Sequence, residues 1–291
     1  MAIDLNSIPK PQVIEEITYA AIVARKKATF QALWNAVRTA NPDMPLYDVL
    51  MLETDAAMIV IEADATDEML LRARINDGAK ANILPWSTGN DLAVLAQFGH
   101  GVAPIDGETE DQLKERVILK EQGSSSAGPK EWYQFHARSV SADVREVEVL
   151  RPGTGPELQL AILSFSNGGV APDALLDAIR AKVTADNVRG DNDIVTVVRA
   201  VRAVIDIEAD IWLRPSADYA VFEALEPNLR AAWDKEGKIG ADLLKGWIGA
   251  RLAPAGVYKA ALRAPLAEHV AALGQAFAIG NVKLNFMGRD E

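Results

Sequence analysis

The chain has 291 residues, 49% of them hydrophobic and 24% charged, enough to bury a real core and to build one to three domains. Its formal charge is −11, from 30 basic and 41 acidic residues, and such a balance argues against a protein that grips DNA or an anionic membrane through phosphates. Without cysteine there is no disulfide, no thiolate nucleophile and no cysteine-based metal site.

The opening MAIDLNSIPKPQVIEE places acids and prolines where a signal peptide needs a basic start and an apolar core, and no apolar run of about 18 residues follows, so synthesis in the cytoplasm is expected. Pro9 and Pro11 bias their neighbours away from helix, which makes residues 1–17 an extended arm. From Thr18 to about Ala40, Ile22, Lys26, Phe30, Leu33, Trp34 and Val37 recur at helical spacing, and Asn41-Pro42 stops the helix. Acids are concentrated next: residues 39–71 hold Asp43, Asp48, Glu53, Asp55, Glu62, Asp64, Asp67 and Glu68 and neither Lys nor Arg. That run is either a solvated helix face or a docking face for a basic partner.

A second helix is expected from the region of Leu46–Asp55 to Ile83. Met58, Ile61, Ala65, Met69 and Ala73 form one apolar stripe along it, and Leu71, Ile75, Ala79 and Ile83 form a displaced one. One surface helix needs a single stripe, so the second face must pack against another part of this chain or against another chain. Ala73, Gly78, Ala79 and Ala81 would permit close approach, and the row Met58, Ile61, Ala65, Met69, Ala73, Ile75, Ala79 is the candidate subunit interface. Pro85 ends this helix, and Thr88-Gly-Asn-Asp91 starts a short one to about Gln97. Thr109 and Gln112 then have capping-box spacing, with Glu110 and Asp111 at the positive end of a helix running to about Gln122. The loop from Gly123 to Gly128 is the best candidate for a hinge, and Pro129 opens an aromatic helix to Val140.

Beyond it the pattern becomes one of strands. Val144, Val147 and Val149, the turn Arg151–Pro156 and the stretch Leu158–Phe165 read as a hairpin. A helix from Pro172 to about Thr184, strands at Ile194–Val201 and Val204–Leu213, helices at Tyr219–Lys235 and Ala241–Leu252, and strands near Gly256–Leu262 and Ala278–Phe286 complete the chain. The expected class is α+β: a helical N-terminal part followed by one or two small antiparallel-sheet modules packed with helices. The expected domains are the arm at 1–17, a helical domain at 18–123, and α+β modules at 124–202 and 203–291.

Catalytic chemistry is not visible in these blocks. His100, His136 and His269 lack metal-site spacing, and His136 beside Tyr133 and Phe135 reads as a packed structural residue. Gly153-Thr-Gly155 lies in a hairpin turn rather than between strand and helix, so it is no dinucleotide fingerprint. Asp64 and Glu68 share a helix face as two hydrolytic carboxylates might be imagined to do, but in a chain with 41 acids such pairs arise by chance. No catalytic, cofactor-binding or metal residue is assigned, and no cofactor is expected.

Several blocks occur in a fixed order: Arg72, Arg74, Ile75 and Asn76 near the end of the long helix; Thr88, Gly89, Asp91 and Leu92 at the next turn; Glu108, Thr109 and Asp111; then Ser126–Pro129, including Gly128 and Pro129, leading into Tyr133, Phe135 and His136. In this order and wording the chain resembles the baseplate assembly protein J family of contractile-tailed phages. The resemblance is specific up to about Ala142; beyond that it rests on element order and on the turn Asp186–Asp193.

The resemblance implies a non-enzymatic baseplate wedge subunit of a contractile phage tail or a phage-tail-like bacteriocin, made in the bacterial host and built into the particle. It further implies two copies per wedge and a smaller partner like baseplate protein I. Contacts with the central hub and with sheath-proximal and fibre-attachment proteins are implied too, and direct binding of nucleic acid or membrane is not. Two readings from the residues alone stay beside it: an interaction scaffold outside a tail, and a carboxylate-dependent hydrolase.

Overall fold

A computed structural model describes residues 9–47, 55–124 and 129–290. The chain divides into two compact units after Ala103. In the first, residues 9–18 are non-helical and lead into α1 (Tyr19–Ala40) and then α2 (Ala56–Ala81). Asp55 caps α2 by accepting from the Ala57 amide at 3.0 Å, satisfying one of the amide donors a helix start leaves free. Helix α1 packs on α2. Ile22 of α1 and Met58, Ile61 and Ala65 of α2 are buried, whereas Ile59, Val60, Leu70, Leu71 and Ile75 of α2 are exposed. Short α3 (Gly89–Val94) continues into a turn of π-helix, Leu95–Gly99, with Leu92 and Ala96 buried and Phe98 projecting outward.

The second unit opens with α4 (Glu110–Gly123). Its capping box is complete: Thr109 accepts from the Gln112 amide, and the Gln112 side chain accepts from the Thr109 amide. Helix α5 (Lys130–Arg138) packs on α4, and Pro129 stands one residue before its first turn. The approach is close at Gly123, where a side chain would sit 2.8 Å from the Trp132 amide nitrogen. Ser125–Gly128 of the expected hinge loop lie outside the described residues, as do Asp48 and Glu53 of the acidic run.

Strands β1 (Val144–Leu150) and β2 (Glu157–Ser164) form the expected antiparallel hairpin. Helix α6 (Asp173–Val183) then carries the chain across, and β3 (Ile194–Arg199) joins β2 in parallel, giving the order β1-β2-β3. Parallel neighbours need such a crossover, because a tight turn can only reverse the strand. Strand β2 is covered on both faces. Leu158, Leu160 and Ile162 pack with Tyr133, Ile179 and Val183, while Ala161 and Leu163 pack with Ala200, Ile239 and Ala276. Burying each of the large aliphatic side chains contributes about 1.5–3 kcal/mol.

The second sheet is built on β4 (Val201–Leu213), flanked by β5 (Val257–Ala264), antiparallel, and β6 (Gln275–Arg289), parallel. Helices α7 (Ala220–Glu223), α8 (Leu225–Glu236) and α9 (Lys245–Leu252) come between β4 and β5. Leu225, Leu229, Trp233, Ile248 and Leu252 pack on Ile207, Ile211 and Leu213, and the Trp233 indole donates to the Phe277 carbonyl at 3.1 Å. The α+β class therefore stands, with one modification: both three-stranded sheets are mixed rather than purely antiparallel.

Candidate functional site

Two motif residues of the first unit, Arg72 and Asn76, join a polar knot between α1, α2 and the arm. Glu68 accepts from Arg25 at 2.6 Å and from Lys26 at 3.0 Å, both on α1, and from Arg72 one turn further along α2 at 2.9 Å. Hydrogen bonds from Lys26 and Arg25 hold its carboxyl down at about 2. Arg72 also donates to Glu15 at 2.8 Å, so its planar fork joins helix to arm. Its charged form is favoured first by Glu15 and then by Glu68. Asn76, buried in the middle of a helix, holds the same arm by its backbone: the Glu15 amide donates to Asn76 Oδ1 at 3.0 Å, and Asn76 Nδ2 donates to the Glu15 carbonyl at 2.9 Å. Arg74 is exposed. Arg72 and Asn76 thus form a clasp that fastens residues 14–16 to α2.

The acidic run has a corresponding use. Asp64 accepts from Lys26 at 2.6 Å, Asp55 caps α2 and accepts from the Tyr47 hydroxyl, and Glu68 sits at the centre of the knot. Asp64 and Glu68, the pair with hydrolytic spacing, are both ion-paired with Lys26. Of the candidate interface residues, Met58, Ile61 and Ala65 are buried within this chain, Met69, Ala73 and Ala79 are half-buried, and Ile75 is 66% exposed. Thr88 precedes α3 without a side-chain cap, and Asp91 is exposed in its first turn.

In the second unit the motif residues again bind elements together. Glu108 and Arg116 form a two-pronged ion pair at 2.8 and 2.7 Å, with side chains only 4% and 6% exposed. Glu108 also accepts from the Ile105 amide at 2.6 Å. The Tyr133 hydroxyl donates to Asp193 at 2.7 Å and accepts from the Gly190 amide at 3.0 Å, and burial, with Asp193 beside it, pushes its pKa up to about 12. Trp132 donates to the Val188 carbonyl at 2.7 Å, so α5 is tied to the turn before β3 at two points. His136 stacks edge-on to Trp132 with ring centres 4.3 Å apart; both ring nitrogens are enclosed without a hydrogen-bond partner, and burial, then Lys182, brings its pKa down to about 4. Gly128 lies outside the described residues.

Sequence reasoning missed Glu15, Arg25, Lys26 and the Glu108–Arg116 partnership. Only Glu68, four residues before Arg72, carried a local signal, the helical ion-pair spacing. Among the described residues no three acids or histidines are grouped as a metal would require, and no helix is long and apolar enough to cross a membrane.

Residues 53–103 match the Baseplate J-like N-terminal domain and residues 125–199 the Baseplate J-like central domain. Along its length the chain is similar to baseplate protein J of Escherichia phage P2, with 30% identity over 304 aligned positions that cover 99% of each chain. A likeness of that extent, matching the Arg72–Asn76 clasp region and the Tyr133–His136 helix with their own family domains, shows that the chain belongs to the Baseplate J-like family of phage baseplate proteins.

Proposed function

We propose that this chain is a structural, non-catalytic wedge subunit of a contractile phage tail or tail-like particle, and that α2 makes its principal contact with another chain. The full-length likeness to baseplate protein J supports the setting. One observation carries the contact: α2 leaves Val60, Leu71 and Ile75 67%, 65% and 66% exposed in a row beside the face that buries Met58, Ile61 and Ala65. A row of large aliphatic side chains on one helix face is the mark of a protein–protein surface rather than of a solvated one. The face offered is that of Leu71 and Ile75, one turn apart, rather than that of the residues already buried.

In this reading the occupants of the face are a second copy of the chain or a smaller wedge partner like baseplate protein I. The central hub, sheath-proximal proteins and fibre-attachment proteins contact the remaining surface. Arg72 and Asn76 serve the subunit's own rigidity. Assembly is the test: Leu71→Glu and Ile75→Glu place charge on exposed positions, so the helical circular dichroism of each variant should match wild type while assembled particles disappear. Normal particle yield from both folded variants would remove α2 from the contact.

A further inference from the structure

In the second unit, three arginines face one small cavity that the polar knots described above do not use. Its volume is about 100 Å³, and it is lined by Arg145, Arg202 and Arg230 with Asp234, Trp233 and Phe277. Two of the arginines are held by the fold. Arg145 lies at the bulge where the β1–β2 register shifts between Val144 and Glu146, and a bulge re-aims its side chain. It donates to the Asp234 and Gly237 carbonyls at 2.8 and 3.1 Å, at the end of α8 where a helix is electronegative. Arg230 pairs with Glu226 at 2.8 Å and donates to the Ile279 and Gly280 carbonyls.

Arg202 is different. Among the described residues no hydrogen bond or ion pair is formed by its side chain, yet its guanidinium lies in a cradle left by a missing side chain: a Cβ on Gly169 would sit 1.8 Å from its Nη1. It is half-buried. Burial and then the neighbouring Arg145 disfavour its charge, more than Asp234 restores. An arginine with five donors, set beside a second cation at a cavity with a hydrophobic wall, is a site prepared for an oxyanion, since the planar guanidinium matches a carboxylate bidentately.

We propose that the cavity of Arg145, Arg202 and Arg230 is a socket for a single carboxylate, the tip of an Asp or Glu side chain presented by a neighbouring subunit. At about 100 Å³ the cavity has room for the head of an acidic side chain. Two of its cations are fixed by backbone carbonyls, so the socket is preorganised and only Arg202 need adjust. The proposal rests on the assembly reading above, because the carboxylate comes from another protein, but its test uses the isolated chain and its failure would leave the α2 contact standing.

The experiment compares thermal unfolding of the full chain in sodium acetate, sodium phosphate and sodium chloride at matched ionic strength, for wild type and Arg202→Gln. Acetate at ten times its Kd should raise the wild-type Tm by about 3–6 °C over chloride, and the rise should vanish in Arg202→Gln. In chloride, Arg202→Gln should melt no lower than wild type, because it removes a half-buried cation with no hydrogen-bonded carboxylate among the described residues; Arg202→Lys, which keeps the charge and loses the fork, should keep less than half of the acetate shift. An equal acetate shift in wild type and Arg202→Gln, or none in wild type, would overturn the socket. A shift with phosphate and none with acetate would overturn the carboxylate assignment.

Discussion

Replacing Glu108 by Gln keeps the shape of the side chain at the start of α4 while removing the carboxylate that binds Arg116 through both its oxygens. Both side chains are almost wholly enclosed and bonded through two oxygens, and breaking a buried pair from one side costs about 3–5 kcal/mol, because the remaining charge stays desolvated. A unit of this size shifts by about 2–4 °C per kcal/mol, so the transition of the second unit should fall by about 6–20 °C. Glu108→Gln together with Arg116→Met removes both charges and should recover most of that loss, as charge pairs replaced by neutral groups of similar volume often do. Differential scanning calorimetry of the full chain, with urea titrations followed by circular dichroism, reads both variants. A loss below about 1 kcal/mol in the single variant would put the pair in the class of exposed surface bridges and refute the argument from burial. A double variant as weak as the single one would show that the cost comes from packing rather than from the broken ion pair.

Other consequences are equally direct. Asn76→Leu abolishes both bonds to the Glu15 backbone and should cost about 1–3 kcal/mol, visible as faster proteolysis at residues 9–18 with α2 still helical. His136 has a folded pKa of about 4 against an ordinary 6.5, so the unfolded chain takes up a proton between those values that the folded chain refuses, and stability falls as pH drops from 6.5 towards 4. The full shift, discounted for a ring only half enclosed, corresponds to about 1–2 kcal/mol, and His136→Phe should flatten the pH profile of urea midpoints in that window; an unchanged slope would exclude His136 as its source. Gly123→Ala should destabilise by pressing a methyl on the Trp132 backbone, seen as a lower melting temperature, whereas Gly78→Ala, with open space at its Cβ, should raise helix stability by up to about 1 kcal/mol.

Local signals were the ones the sequence could carry. Thr109 and Gln112 are three residues apart, and their capping box is present as read; the hairpin of β1 and β2 followed from alternating valines before a Pro/Gly turn and a second alternation, Leu158–Phe165, after it. Parallel pairing was not legible in the alternation, which is the same for either direction. The helix at residues 173–183 between two strands is the one local clue to a crossover. The two stripes of α2 were legible, but which one the chain buries depends on where α1 places Lys26 and Arg25, a long-range fact. For Asn76 and Arg72 the positions stood out while their role did not, because their partner Glu15 lies 61 and 57 residues away and Asn76 grips its backbone, which every residue shares. The bulge that aims Arg145 is one inserted residue with no sequence mark.

The central claim, that α2 is an assembly surface, is tested most directly by an electron-microscopy map of the assembled particle at side-chain resolution. The account predicts Leu71 and Ile75 buried against a helix or strand of another chain. A map in which both side chains face solvent, with the contacts between chains made elsewhere, would contradict it.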